Sequence, residues 1–373
     1  MLESITIKGF RKYRNVQIGD FARINFIVGK NNIGKTTILE AIYSWACGQN
    51  IVPFFNIPLA RARYSYIKNS YWMMEEILAL VNDRHSLPLV FSLSGIDEGK
   101  KICLKHIIEP SDILTEFDSS YKNWENQIIP KNNDSTSPQS NQLAMPMFNT
   151  FTIAKWTVER DGNKQIYDIT NQFSIFSNIK SYKTAKYIDF ISHGSIQECA
   201  QIYSSLKREN KLNEVVAEIK TIFPEIVGFD MLPYPDGSQA PVSVIKKSGE
   251  ILPLYACGDG VQRWFYILGA ITIYKNSIIC IDEIDSGFHP EAQKDFSKNL
   301  INYAEANNVQ LFLTTHNIEF LDHFLDATDC MDERKKKNIK IVTVRNGENE
   351  IAVRSLDASR AKQARDEFRL ELR

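Results

Sequence analysis

Nine consecutive residues, Gly29 to Thr37 (GKNNIGKTT), constrain this chain more than any other stretch. They match the pattern G-x-x-x-x-G-K-[ST], with Gly29, Gly34, Lys35 and Thr36 at the fixed positions. Backbone N–H groups turn inward around phosphate oxygens where glycine relaxes the limits on φ. A lysine adds a cation for the terminal phosphates, a threonine hydroxyl suits Mg²⁺, and a helix N-terminus adds its dipole. The apolar run INFIV precedes the loop and a helical pattern follows it, so the order strand, phosphate loop, helix is predicted. Asn31, Asn32 and Thr37 lie in the same stretch and join the candidate nucleotide-binding residues.

Around this loop the first thirty residues alternate apolar and polar in short runs, which predicts three strands with turns at 9–13 and 19–20. From Lys35 the spacing of Ile38, Leu39, Ile42 and Trp45 predicts a helix ending near Gly48. Beyond it the pattern predicts a helix over 61–81, hairpins over 87–108 and 151–169, a mobile loop over 120–148, and one long amphipathic helix over 195–223. Two strands within 241–256 come next, followed by a helix (260–274), a buried strand (277–281), a helix (289–306) and a buried strand (309–315). That alternation marks a parallel sheet layered with helices. A hairpin over 339–357 and a charged helix close the chain.

Two segments complete the chemistry. In SIICIDEID an apolar strand ends in Asp282, placed to hold a metal, and Glu283, placed as base or water-orienting group. In VQLFLTTHN a second apolar strand delivers Thr314, Thr315 and His316, the last a candidate sensor of the terminal phosphate. The turn 285–290 is expected to line a subunit contact.

Composition excludes several function classes. Forty-four Lys plus Arg against forty-five Asp plus Glu give a net charge of -1, so any basic surface is local, as at 246–247 and 334–337. The longest apolar stretch, 264–274, is too short for a bilayer and MLESITIKGF has no signal-peptide core, so a cytoplasmic protein with no membrane partner is expected. Six scattered cysteines without a CxxC pair argue against a disulfide framework or a zinc site.

The motif order resembles an ABC-type P-loop ATPase in the branch with the RecF, SMC and overcoming-lysogenization-defect (OLD) proteins. The asparagine pair in the loop, GFRKYRN after the first strand, DEIDSGFHP and TTHN carry that resemblance over residues 1 to about 50 and 225 to 325. It implies an α/β ABC-ATPase head with an antiparallel β subdomain, a mostly parallel P-loop sheet layered with helices, and a helical insertion lobe. The corresponding segments are 1–50, 51–225, 226–330 and 331–373. It implies that Arg11 lies near the nucleotide and that catalysis rests on Lys35, Glu283 and His316, with ATP as the nucleotide and Mg²⁺ on Thr36 and Asp282. It also makes Cys257, Gly258, Asp259 and Gly260 in YACGDGVQRW the signature loop that meets the nucleotide of a second subunit. Cys257 departs from the family's usual serine, which implies slow hydrolysis.

A homodimer or higher oligomer that closes head-to-tail on ATP follows from the same resemblance. The segment between P-loop and signature lacks the heptads of a long-armed SMC protein, and the 57 residues after His316 leave no room for the Toprim nuclease of OLD proteins. The expectation is a stand-alone ATPase like those of Septu, PARIS and retron anti-phage systems, which control a separate effector such as a nuclease. The alternative is a RecF-like ATPase that binds DNA for repair; a transporter subunit is disfavoured by the long insertion.

Overall fold

The structure, a computed structural model, describes residues 1–62, 70–84, 86–115, 151–171, 181–232, 240–288, 290–329, 331–347 and 351–368. The loop expected at 120–148 lies outside them. In chain order the elements are β1 (Leu2–Phe10), β2 (Tyr13–Ile18), β3 (Ile24–Val28), α1 (Lys35–Cys47), α2 (Pro53–Ala62), α3 (Ser70–Ala79), β4 (Leu89–Asp97), β5 (Lys100–Pro110), β6 (Thr152–Arg160) and β7 (Asn163–Thr170). Then come β8 (Ala185–Ile188), α4 (Ile196–Arg208), α5 (Leu212–Ile222), β9 (Ile226–Met231), β10 (Val242–Lys246), β11 (Ile251–Pro253), α6 (Asp259–Ile273) and β12 (Ile278–Ile281). The chain closes with α7 (Pro290–Ala306), β13 (Gln310–Thr314), α8 (Ile318–Ala327), α9 (Glu333–Lys337), β14 (Ile339–Asn346), β15 (Ile351–Asp357) and α10 (Ala358–Phe368).

Three sheets form among the described residues. An antiparallel six-stranded sheet runs β2-β1-β4-β5-β6-β7, so both hairpins of the middle segment extend the sheet begun by the first eighteen residues. A second six-stranded sheet runs β15-β14-β3-β13-β12-β8 and is parallel except at β15. A small antiparallel sheet holds β11, β10 and β9. This is the mixed α/β architecture expected of an ABC-ATPase head.

The parallel sheet is apolar on both faces, and its alternation sorts side chains into two cores. Ile278 and Cys280 of β12 join the core shared with the antiparallel sheet and α1, whereas Ile279 and Ile281 join the core beneath α4 to α8. Helix α1 lies between the two large sheets, touching β4 on one side and β8, β12 and β13 on the other. Its apolar stripe of Ile38, Leu39, Ile42 and Trp45 is fully buried, as the periodicity required. The phosphate loop is thereby fixed at the C-terminal ends of the central strands.

The structure corrects the long helix expected over 195–223. It is two helices, broken at Asn210, whose φ of 57° is left-handed. Asparagine tolerates that conformation, and the amide of Lys211 turns back to the carbonyl of Leu206 at 2.8 Å, closing the first helix. Of the helix expected over 61–81, α3 and the end of α2 are described, and the residues between them are not. Strands β8 and β9 were not foreseen: four and six residues with mixed polarity carry too weak a period.

Candidate functional site

Gly34, the residue before α1, has φ of 98°, and a Cβ on it would lie 2.6 Å from the hydroxyl of Tyr13, so both backbone and packing require glycine there. The next residue, Lys35, is 3% exposed and donates from Nζ to the carbonyls of Gly29 (2.8 Å) and Lys30 (3.3 Å). These carbonyls hold the ammonium at the rim of the loop, where a phosphate oxygen would compete for it. Tyr13 fastens the loop from below by donating to the carbonyl of Ile33 at 2.8 Å.

The two strand ends predicted from sequence converge on this loop. The buried carboxylate of Asp282 receives hydroxyls from Thr36 (3.2 Å), Thr314 (2.5 Å) and Tyr187 (3.3 Å). Thr314 also accepts the amide of Glu283 at 2.9 Å, and the amide of Ile284 reaches the Thr314 carbonyl at 3.0 Å. These bonds hold Glu283 in a left-handed conformation, φ 51°, and leave its side chain part-exposed. A non-glycine residue pays strain for that backbone, and such strain concentrates where side chains must be aimed. Nε2 of His316 lies 3.7 Å from the Glu283 carboxylate, and its Nδ1 lies 2.7 Å from Asn31 Oδ1 and 3.4 Å from Lys35 Nζ. Lys35 and Asn31 thus meet at His316, Thr36 meets Asp282, and Glu283 stands beside both sets, so the six residues form one cluster around the loop.

Thr36 and Asp282 present hard oxygen donors side by side, the set that Mg²⁺ prefers. Among the described residues no group of three or more His, Cys, Asp or Glu is arranged to hold a metal, so a bound Mg²⁺ would take its remaining ligands from phosphate and water.

Arg11 sits in the turn between β1 and β2 with φ 48°, and its Nε lies 2.7 Å from the buried carboxylate of Glu40 on α1. The neighbouring residue, Lys12, is the one whose ammonium reaches the loop, donating to the carbonyl of Asn32. Burial lowers the Lys12 pKa. Sequence reasoning selected Arg11 and passed over Lys12, which nothing local distinguishes.

Cys257 and Asp259 of the signature segment make no side-chain hydrogen bond to this cluster among the described residues. Gly258 caps α6 without offering a side chain, and the Cys257 thiol points to the carbonyl of Pro253 at 3.7 Å. Burial raises the pKa of that thiol. Gln262 donates to the carbonyls of Tyr255 (3.3 Å) and Cys257 (3.2 Å), bracing the segment from one turn further along. Gly260 and Gly287 pack so closely that a Cβ on Gly260 would lie 2.8 Å from the Gly287 carbonyl. The turn 285–288 expected at a subunit contact is thus locked to the signature tip, and Asp285 is held by the Thr315 hydroxyl at 2.6 Å; His289 of that turn lies outside the described residues.

Residues 1–186 match a family model described as "AAA ATPase domain", and residues 200–322 match one described as "AAA domain, putative AbiEii toxin, Type IV TA system". An "ATP/GTP phosphatase" of Helicobacter pylori is 26% identical over 355 residues, covering 86% of this chain and 87% of that protein. The Rad50 ATPase of Archaeoglobus fulgidus is 31% identical over 125 residues, 31% of this chain and 12% of that protein. RecF of Chlamydia abortus is 29% identical over 99 residues, 26% of this chain and 24% of that protein. The chain is a P-loop ATPase, with segments similar to Rad50 and RecF. The ATPase also shares the fold of a solved SMC head bound to the C-winged helix domain of ScpA, at 15% identity and a TM-score of 0.52, with 97% of this chain and 99% of that one covered.

Proposed function

We propose that this ATPase closes head-to-tail with a second copy of itself on ATP and Mg²⁺, and that the closed state controls a separate effector protein, a nuclease of an anti-phage system, in the cytoplasm. The observation that carries the reading is a division of labour: the phosphate loop, both acids and His316 form one group, while the uncapped tip of α6 faces outward with Asp259 54% exposed. A helix N-terminus with free amides attracts an anion, here the terminal phosphate held by the partner. Lys35 exchanges loop carbonyls for phosphate oxygens, Glu283 orients the attacking water, and His316 hydrogen-bonds the terminal phosphate. Mg²⁺ on Thr36 and Asp282 would supply charge neutralisation. The similarity of residues 200–322 to a toxin-system AAA domain supports a defence role.

The RecF similarity motivates a second reading, direct DNA binding in repair. Its weak point is charge: within the basic run Lys335 pairs with Glu305 at 3.3 Å and Lys336 with Glu333 at 2.9 Å. Among the described residues no helix is long and apolar enough to cross a membrane.

Glu283→Gln provides the test. It should lower kcat by about a hundredfold or more while ATP binding persists, because only the water-orienting group is lost. Light scattering should then find a stable dimer with ATP and Mg²⁺. A Glu283→Gln protein that hydrolyses normally, or stays monomeric with ATP, refutes the proposal.

A further inference from the structure

The tip of α6 carries an acid where an anion is to be received. Asp259 is the first residue of the helix, and its carboxylate competes with a phosphate for the same amides. The structure shows how that carboxylate is engaged. One oxygen lies 2.6 Å from Nε2 of His193, and the other lies where a Cβ on Gly287 would be 2.5 Å away. Gly287 has φ of 82°, so the turn after Glu283 could not approach this closely with any side chain.

His193 is buried in the segment between β8 and α4 and is contacted on both ring nitrogens. Its Nδ1 lies 3.3 Å from Nη1 of Arg263, a guanidinium with no exposed surface. Arginine only donates, so Nδ1 accepts and Nε2–H donates to Asp259. Nη1 of Arg263 also reaches the carbonyl of Phe190 at 3.1 Å, and Nη2 donates to the carbonyls of Asp282 (3.0 Å) and Glu283 (2.7 Å). One continuous run of hydrogen bonds therefore joins Asp259 through His193 and Arg263 to the backbone of both acids of the hydrolytic site.

We propose that His193 is a positioning residue that fastens Asp259 aside from the helix tip and, through Arg263, ties the tip to the backbone of Asp282 and Glu283. The inference rests on the head-to-tail reading, since a tip that receives no partner phosphate has nothing to keep clear. It gives each protomer a rigid link between the surface it offers its partner and its own hydrolytic acids.

The link requires neutral imidazole. A proton on Nδ1 would face Arg263, which is fixed by four carbonyls including that of Asp189 at 3.5 Å. The groups facing His193 are Asp259 and Arg263 of α6 and Asp189 of its own segment, with the Cys199 thiol of α4 donating to its carbonyl. Burial outweighs the two carboxylates and lowers its pKa from the ordinary 6.5. With the folded pKa below the unfolded one, the link is intact at neutral pH. It fails as pH falls below the ordinary histidine range and through the lowered pKa.

The test compares wild type, His193→Gln and His193→Leu, following kcat and KM for ATP between about pH 5 and 8, with ATP-induced dimerisation measured by light scattering. Glutamine can accept from Arg263 and donate to Asp259 but does not titrate. His193→Leu should lower kcat by about 10- to 100-fold with KM little changed. His193→Gln should restore most of the rate and hold it on the acid side where wild type declines. If wild type dimerises on ATP and the leucine variant matches its kcat and pH profile, this inference is wrong and the head-to-tail reading stands. If His193→Leu does not fold, an acid limb in His193→Gln identical to wild type overturns it equally. Wild type that stays monomeric with ATP removes the underlying reading instead.

Discussion

The phosphate loop and the tip of α6 are both glycine-bearing helix N-termini, yet the protein treats them oppositely. At the loop, the protomer supplies its own occupants: Lys35 rests on the Gly29 carbonyl, Tyr13 on that of Ile33, and Asp282 collects three hydroxyls. At the tip, where the cap is again a glycine, Gln262 turns back to brace the segment while the Asp259 side chain stays half-exposed. A site that is polar, buried and internally satisfied can hold its shape before ligand arrives. One that is braced from behind and open in front suits the partner that the head-to-tail proposal calls for. On the proposed head-to-tail reading the two ends are built to different rules, and mutations should separate them.

The largest effect is expected at the loop. Lys35→Ala should reduce ATP binding and hydrolysis by about a hundredfold or more, because a buried cation aimed at the phosphates is lost. Equilibrium binding of a fluorescent ATP analogue to the isolated protomer checks this. The result sharpens the comparison only if the same variant, mixed with wild type, still offers its α6 tip to an intact loop. Hydrolysis in the mixture at about the level of the wild-type sites alone would mean the two ends are not shared between copies.

How much of this was legible in the sequence follows the same divide. The loop, the two acids and His316 were readable because each sits in a short contiguous pattern whose spacing is fixed by backbone geometry. The strand INFIV places Gly29, and SIICI places Asp282, whatever the rest of the chain does. The hydroxyl of Tyr187 on Asp282 was not readable, since it spans 95 residues and depends on β8, a four-residue strand with little alternation, pairing with β12. His193 and Arg263 were equally silent. A lone histidine before a helix and an arginine within one carry no local sign that they meet, and packing of α4 and the turn 192–194 on α6 brings them together. The antiparallel sheet was half visible: both hairpins were clear from their turns, whereas the pairing of β1 with β4 is a long-range contact that periodicity does not encode.

A middle-sized effect should come from the join between the two sites. Gly287→Ala places a methyl 2.5 Å from the Asp259 carboxylate at a φ of 82°, which costs about 1–2 kcal/mol in backbone strain before any clash. The melting temperature should fall by a few degrees. ATP affinity of the isolated protomer should stay close to wild type, because Lys35 and the loop are untouched, while ATP-driven dimerisation weakens. Equal losses in both readouts would show that the turn supports the whole fold rather than the tip.

The smallest effect is expected on the basic run. Exposed ion pairs contribute little, and Lys335 and Lys336 already have carboxylate partners, so replacing both with alanine should move the melting temperature by no more than about a degree. Hydrolysis should be unchanged. The informative measurement is duplex-DNA binding across a salt series, since each lost phosphate contact flattens the dependence of affinity on salt by roughly one unit of slope. No change in slope is expected from two lysines whose charges are matched within the protomer. A slope reduced by about two would place DNA on α9 and favour the DNA-binding reading of this ATPase.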